Sequence, residues 1–269
     1  MLTLEGVSYR YAGARRPSLL GVSLELRDGE VLGLVGASEA GKTTLCLVAS
    51  GLAPRAIGGE MTGRLLIDRA DVAADPMHAL AARVGIAFQS PSTQLSGVAG
   101  SVYEEVAFGA TNLGLPRGEV IGRTARALDA LGITSLAERD PSRLSGGQMQ
   151  LVAIAGLLAM GPTHLVLDEP TAQLDPAGTR LVGDAVARLA AGGASILIAE
   201  QKTDLLVRLC SRIVALDAGG VALAGETAEV LADPRLRELG VAEPTEIRLG
   251  RLAREAGIDP ERLTAEGSA

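Results

Sequence analysis

Apolar and polar positions alternate at the start of the chain, in L-T-L-E-G-V-S-Y and again in V-S-L-E-L. That period predicts two strands of a half-exposed antiparallel sheet over residues 1–11 and 19–27, joined by the loop G-A-R-R-P. The pattern then changes. E-V-L-G-L-V-G is a short, almost wholly apolar run of the kind buried on both faces, and it ends in glycine and opens a helix from Gly41 to about Leu52. Arg64 to Asp68 and Val84 to Gln89 read as further strands. Helical spacing takes over between 101 and 160, in S-V-Y-E-E-V-A-F, E-V-I-G-R-T-A-R-A-L-D-A-L and Q-M-Q-L-V-A-I-A-G-L-L-A-M, the last predicted as a long amphipathic helix. Strands return with H-L-V-L-D, S-I-L-I-A and R-I-V-A-L-D, separated by helices. The pattern predicts an α/β fold with a mostly parallel sheet covered on both faces and an inserted helical subdomain at about 92–160. A hairpin around Ala218-Gly219-Gly220 closes the domain at about 225. Residues 226–269 read as a polar, helical extension that frays near G-S-A.

Length and composition narrow the class. The 269 residues suffice for one large domain or two small ones with a real core. Mean hydropathy is high for a soluble chain, at +0.27, yet Ala, Leu and Val supply most of it and glycines interrupt it. The longest apolar run, Leu151 to Met160, is about half of the roughly 20 residues a spanning helix needs. The opening M-L-T-L-E-G lacks a basic stretch followed by an apolar one, so a cytoplasmic protein is expected. A net charge of −7, with no dense basic run and few aromatics, argues against nucleic-acid binding. Cys46 and Cys210 lack metal-ligand spacing and read as buried, reduced thiols. His78 and His164 are the only histidines, which excludes a histidine-rich metal site.

Three motifs carry chemistry. G-A-S-E-A-G-K-T, Gly36 to Thr43, lies between a buried strand and a helix and matches the phosphate-binding loop. Its glycines let successive N–H groups curl toward phosphate oxygens; Lys42 adds a point charge and the Thr43 hydroxyl a ligand for Mg²⁺. The chain has only two lysines, Lys42 and Lys202, and one falls at the required place. H-L-V-L-D-E-P delivers Asp168 and Glu169 to the carboxyl end of a buried strand, where ligands sit in open α/β sheets. Asp168 would hold Mg²⁺ through water, and Glu169 would polarise the attacking water. L-S-G-G-Q, Leu144 to Gln148, places Ser145, Gly146 and Gly147 at a helix N-terminus, a second anion site. One chain does not need two γ-phosphate sites unless the second serves a neighbour.

The order and spacing of these motifs, with Gln89 between the first and the third, resembles the nucleotide-binding subunit of ABC transporters over roughly residues 1–225. The resemblance implies a P-loop NTPase (RecA-like) core with an N-terminal antiparallel β subdomain. It also implies a head-to-tail dimer with two ATPs, each between one chain's loop (Gly36, Ala37, Ser38, Glu39, Ala40, Gly41, Lys42, Thr43, Thr44) and the other's Ser145, Gly146, Gly147 and Gln148. Tyr11 matches the aromatic that stacks on adenine, with Tyr9 as the alternative ring. Gln89 matches the glutamine that senses Mg²⁺ and γ-phosphate, and Asp175 the loop that crosses the dimer interface. F-Q-S-P-S-T-Q-L followed by S-V-Y-E-E-V-A-F-G is similar, more narrowly, to the ATPases of energy-coupling factor importers of vitamins and transition-metal ions. There, Val102 to Gly109 would grip a transmembrane coupling subunit, with Glu104 and Glu105 as surface carboxylates facing its arginines. The extension 226–269 also resembles that family's and supports ATPase pairing at the cytoplasmic face of the membrane.

Two positions depart from the pattern. Glu39 stands where glycine is usual, which leaves ATP binding intact but weakened by a nearby carboxylate. Gln201, in A-E-Q-K, stands where the family carries a histidine on the γ-phosphate; a neutral donor there could cost roughly 1.5–3 kcal/mol, one to two decades in rate. Some branched-chain amino-acid importer ATPases share E-Q and pair with a subunit reading E-H, so Gln201 points to an asymmetric pair, a heterodimer favoured over a homodimer. The alternatives are an ATPase of another ABC importer class and a nucleotide-gated module with little hydrolysis at its own site.

Overall fold

The computed structural model describes residues 1–257. The alternating segments at the start form β1 (Leu2–Arg10) and β2 (Leu19–Leu26), paired antiparallel with Leu2 opposite Leu26 and Leu4 opposite Leu24. β3 (Val31–Val35) is buried along its whole length and feeds, through the loop at 36–41, into α1 (Lys42–Ala49). A short turn, α2 (Leu52–Arg55), leads to β4 (Glu60–Ile67) and β5 (Ala70–Asp71). β4 begins at Glu60, earlier than its apolar pattern predicts. Its first half is largely exposed but pairs with Arg10, Tyr9 and Ser8 of β1, so hydrogen bonding rather than burial extends the strand. The small sheet runs β2-β1-β4-β5.

Next come α3 (Met77–Ala81), β6 (Val84–Ala87) and three helices, α4 (Val102–Asn112), α5 (Arg117–Ala130) and α6 (Gly146–Met160). The chain then alternates β7 (His164–Asp168), α7 (Pro176–Ala191), β8 (Ser195–Ala199), α8 (Thr203–Leu209) and β9 (Arg212–Asp217). β10 (Gly220–Glu226) returns as a hairpin on β9 before α9 (Thr227–Ala232), α10 (Arg235–Glu238) and α11 (Thr245–Glu255). The large sheet has the order β10-β9-β3-β8-β7-β6 and is parallel from β9 to β6.

Period-two alternation in the central strands divides their side chains between two cores. Val31, Leu165, Leu167, Ile196 and Ile198 face the helices α4 to α7. Leu32, Leu34, Val166 and Leu197 face α1 and the small sheet. α6 corrects the sequence reading: it is not amphipathic but apolar on most faces, because α4, α5 and α7 all pack on it. Both thiols are buried, and burial pushes Cys210 up to about 12. The extension docks on α8, where Asp204 accepts from the Thr245 N–H at 2.7 Å and its hydroxyl at 2.6 Å. Its predicted frayed G-S-A end lies outside the described residues. No helix among them is long and apolar enough to cross a membrane.

Candidate functional site

β3 and β7 lie parallel on either side of β8, so their carboxyl ends open on one edge of the sheet. That topology brings the loop before α1 to the pair Asp168 and Glu169. The loop curls around Lys42, whose ammonium donates to the carbonyls of Gly36 at 2.9 Å and Ala37 at 3.0 Å and lies 3.5 Å from Glu169 Oε1. Gly41 has φ 106, and a Cβ there would lie 2.8 Å from the Ser18 carbonyl oxygen, so only glycine fits. Glu39 takes φ 66 without being glycine, its side chain exposed at the rim.

Thr43 Oγ1 donates to Asp168 Oδ1 at 3.2 Å. Burial raises the Asp168 carboxyl above its ordinary range, and the Thr43 hydroxyl acts against that shift. Glu169 also holds a left-handed backbone, φ 48, fixed by its N–H donating to the Ala199 carbonyl at 2.9 Å. Gln201 Nε2 donates to both oxygens of Glu169, at 2.9 and 3.0 Å. The carboxamide that departs from the expected histidine therefore holds the Glu169 carboxylate at the end of β7.

Glu39, Gly41, Lys42, Thr43, Glu169 and Gln201 line a cavity of about 820 Å³ with Ser38, Thr44 and Gln89, and Asp168 stands behind its wall, bonded to Thr43. Gly36, Ala37 and Ala40 shape the loop without lining that cavity. Arg16, Pro17 and Ser18 of the β1–β2 loop, with Ala218 and Gly219 of the last hairpin, complete the wall. Sequence reasoning missed all five, since they come from connections with no phosphate-binding spacing. It also missed Gln94, which accepts from the Phe88 N–H at 3.1 Å and donates to the Ile86 carbonyl at 2.8 Å, fixing the strand end that carries Gln89. The two tyrosines separate cleanly. Tyr9 is buried, with its hydroxyl donating to the Gly58 carbonyl. Tyr11 is partly exposed, edge-on to Tyr9 at 4.9 Å, with its hydroxyl 3.1 Å from Thr44 Oγ1. Tyr11 does not line the cavity, but its partner Thr44 does.

Ser145, Gly146, Gly147, Gln148 and Asp175 are not at this site. They line a second cavity of about 510 Å³ that shares no residue with the first. Ser145 and Gln148 form a capping box at the start of α6: Ser145 Oγ accepts from the Gln148 N–H and Gln148 Oε1 from the Ser145 N–H. The Ser145 hydroxyl proton stays free to donate to an anion. A Cβ on Gly147 would lie 2.9 Å from Gly178 Cα on α7. Gly147→Ala is thus expected to lose about 1–3 kcal/mol by overpacking against backbone, measured as a lowered denaturation midpoint.

One expectation for α4 is corrected. Glu105 is not a surface carboxylate: it is buried and accepts from the Ser96 N–H at 2.6 Å and the Ser96 hydroxyl at 2.7 Å. It shares the inward stripe of Val102, Val106 and Ala110. Glu104 and Phe108 point outward, and Phe108 is 42% exposed beside a groove of about 180 Å³ between α4 and α6.

Comparison with known proteins follows the same lines. Residues 19–172 match the ABC transporter family model. The chain is 40% identical over 269 residues to the energy-coupling factor transporter ATP-binding protein EcfA1 of Symbiobacterium thermophilum, covering 96% of this chain and 90% of the relative. It is 36% identical over 259 residues to the EcfA protein of Methanosarcina acetivorans, covering 96% and 91%. Among solved structures, CbiO1 of Clostridium perfringens, part of the ABC transporter complex CbiONQ, superposes with a TM-score of 0.79 at 32% identity, covering 96% of this chain and 98% of that one.

Proposed function

The chain belongs to the ATP-binding, ATP-hydrolysing subunits of ABC transporters, and from that premise we propose that it energises an energy-coupling factor importer of a vitamin or a transition-metal ion, paired with a second ATPase. The observation that carries the pairing is the separation of the two anion-binding loops into cavities with no residue in common. Each cavity is half of a site, so two ATPases complete two sites. The importer class is supported by relatives of that name that match along almost the whole chain.

In this reading the 36–44 loop holds the phosphates and Tyr11 stacks on adenine. Glu169 accepts the proton of the attacking water, and Gln201 and Gln89 orient that water and the γ-phosphate. Thr43, Asp168 and Gln89 offer hard oxygen donors alone, a set that fits Mg²⁺, and the Thr43–Asp168 hydrogen bond already holds two of them together. When bound, the ion supplies charge neutralisation on the phosphates. In the resting chain both Glu169 oxygens accept from Gln201, so the base stays engaged until a γ-phosphate competes for Gln201 and Lys42. Ser145, Gly146, Gly147 and Asp175 serve the partner's ATP. The segment Val102 to Gly109, with Phe108 exposed on its outer face, meets the coupling subunit and places the chain peripherally on the cytoplasmic membrane face.

Affinity purification of the tagged chain from its native membranes tests this. A transmembrane subunit and a second ABC ATPase should co-purify, and Phe108→Asp should lower recovery of the membrane subunit roughly tenfold, the loss of about 1.4 kcal/mol at an apolar anchor. Recovery of no transmembrane protein would falsify the importer assignment.

A further inference from the structure

Lys202 follows Gln201, and its ammonium uses all three donors to bridge to the loop after β7 and the first turn of α7. It donates to the Thr171 carbonyl at 2.7 Å, Thr179 Oγ1 at 2.7 Å and the Leu174 carbonyl at 3.4 Å. Glu200 precedes Gln201 and reaches the same loop with the opposite charge. Its Oε1 accepts from the Thr171 N–H at 3.1 Å and from the Thr171 hydroxyl. Its Oε2 accepts from the N–H groups of Gln201 at 2.7 Å and Lys202 at 3.3 Å. Glu200 is 1% exposed, so separating the two loops would strand a buried carboxylate that water cannot reach. Moving them together breaks none of these bonds.

We infer that Glu200 and Lys202 are positioning residues that make the Gln201 turn and the 171–179 segment one moving part, coupling each chain's own ATP site to its half of the partner's. The far end of that part is the wall of the second cavity. Asp175 Oδ1 caps α7 by accepting from the Gly178 N–H at 2.6 Å, and Gly178 lies directly against Gly147. Leu174 Cδ2 lies 3.1 Å from where a Cβ of Gly146 would sit. A displacement that begins at Gln201 is thereby delivered to Gly146 and Gly147 through packed atoms. The inference rests on the ATPase roles proposed for Glu169, Gln201 and Ser145. It adds that Lys202, which binds no nucleotide, sets how the two sites communicate.

Hydrogen–deuterium exchange on the full chain, with Mg²⁺ and a non-hydrolysable ATP analogue, reads this without requiring turnover. In the native chain the analogue should slow exchange in residues 199–204 and 170–180 together, by roughly tenfold. Lys202→Met should keep the response at 199–204 and lose it at 170–180. Thr179→Val removes one acceptor from the opposite side and should weaken the second response alone. It decides the matter if Lys202→Met fails to fold. Lys202→Arg keeps the charge without the tripod geometry and should restore only part of the response. Responses in both segments that survive Lys202→Met and Thr179→Val overturn the coupling, as does a native chain in which only one segment responds. Fluorescent-nucleotide binding measured alongside separates the two failures: a native chain that binds no nucleotide overturns the proposed site itself.

Discussion

Replacing Glu169 by glutamine is expected to cut steady-state phosphate release from MgATP by about two to four decades while leaving nucleotide binding within about threefold. The carboxylate lines the cavity, 3.5 Å from the Lys42 ammonium and doubly held by Gln201. Its left-handed backbone aims the side chain across the phosphate loop, and glutamine has the same shape and can keep that backbone. What is lost is the site that accepts a proton from water. The neutral amide also removes a negative charge beside the phosphates, so binding should hold or tighten rather than fall. Phosphate release and fluorescent-nucleotide titration, run on the same preparation, separate the two effects. A variant that keeps more than about a tenth of the native rate would show that Glu169 is not the base.

The motifs at this edge were legible because their spacing follows from wrapping backbone around a phosphate rather than from the rest of the fold. A loop that curls N–H groups around an anion needs glycine at Gly36 and Gly41, a lysine at 42 and a hydroxyl at 43, wherever it occurs. Parallel strands then carry Asp168 and Glu169 to the same edge. The features that were not legible depend on contacts between distant segments. Arg16 and Gly219 enter the cavity wall only because β2 and β10 meet there, with the Leu20 N–H donating to the Gly219 carbonyl at 2.8 Å. The partners of Lys202 are two backbone carbonyls and one hydroxyl, which leave no trace in side-chain spacing. Glu105 is different, since its signal was present. Positions 102, 105, 106 and 110 form one helical stripe, and Glu105 falls on it while Glu104 falls outside. Residue type alone makes both glutamates surface charges, whereas the helical period separates them.

Gln201→His is expected to raise the turnover of the isolated chain by about one to two decades, the converse of a lost charge-assisted contact to a developing anion. The carboxamide donates to both oxygens of Glu169 but carries no charge, so it steadies that carboxylate without offering a cation to a phosphate. An imidazole at 201 has the same short reach, and its backbone stays pinned, because the Gln201 N–H donates to Glu200 Oε2 independently of the side chain. The pH profile then tells how it acts. An imidazolium is present below its pKa, ordinarily about 6.5, so a gain due to charge is full on the acid side and fades as pH rises through that value. Pairing with the Glu169 carboxylate shifts that fading upward, since an adjacent anion favours the protonated ring. The native chain, whose carboxamide carries no titrating proton, lacks that alkaline loss. A gain that does not vary with pH means the neutral ring suffices and geometry, not charge, was limiting. A native chain already active, with no gain from histidine, means that glutamine supports turnover and two copies can form working sites. A native chain that is silent alone and active as the histidine variant assigns the competent site of the pair to a partner that carries the histidine.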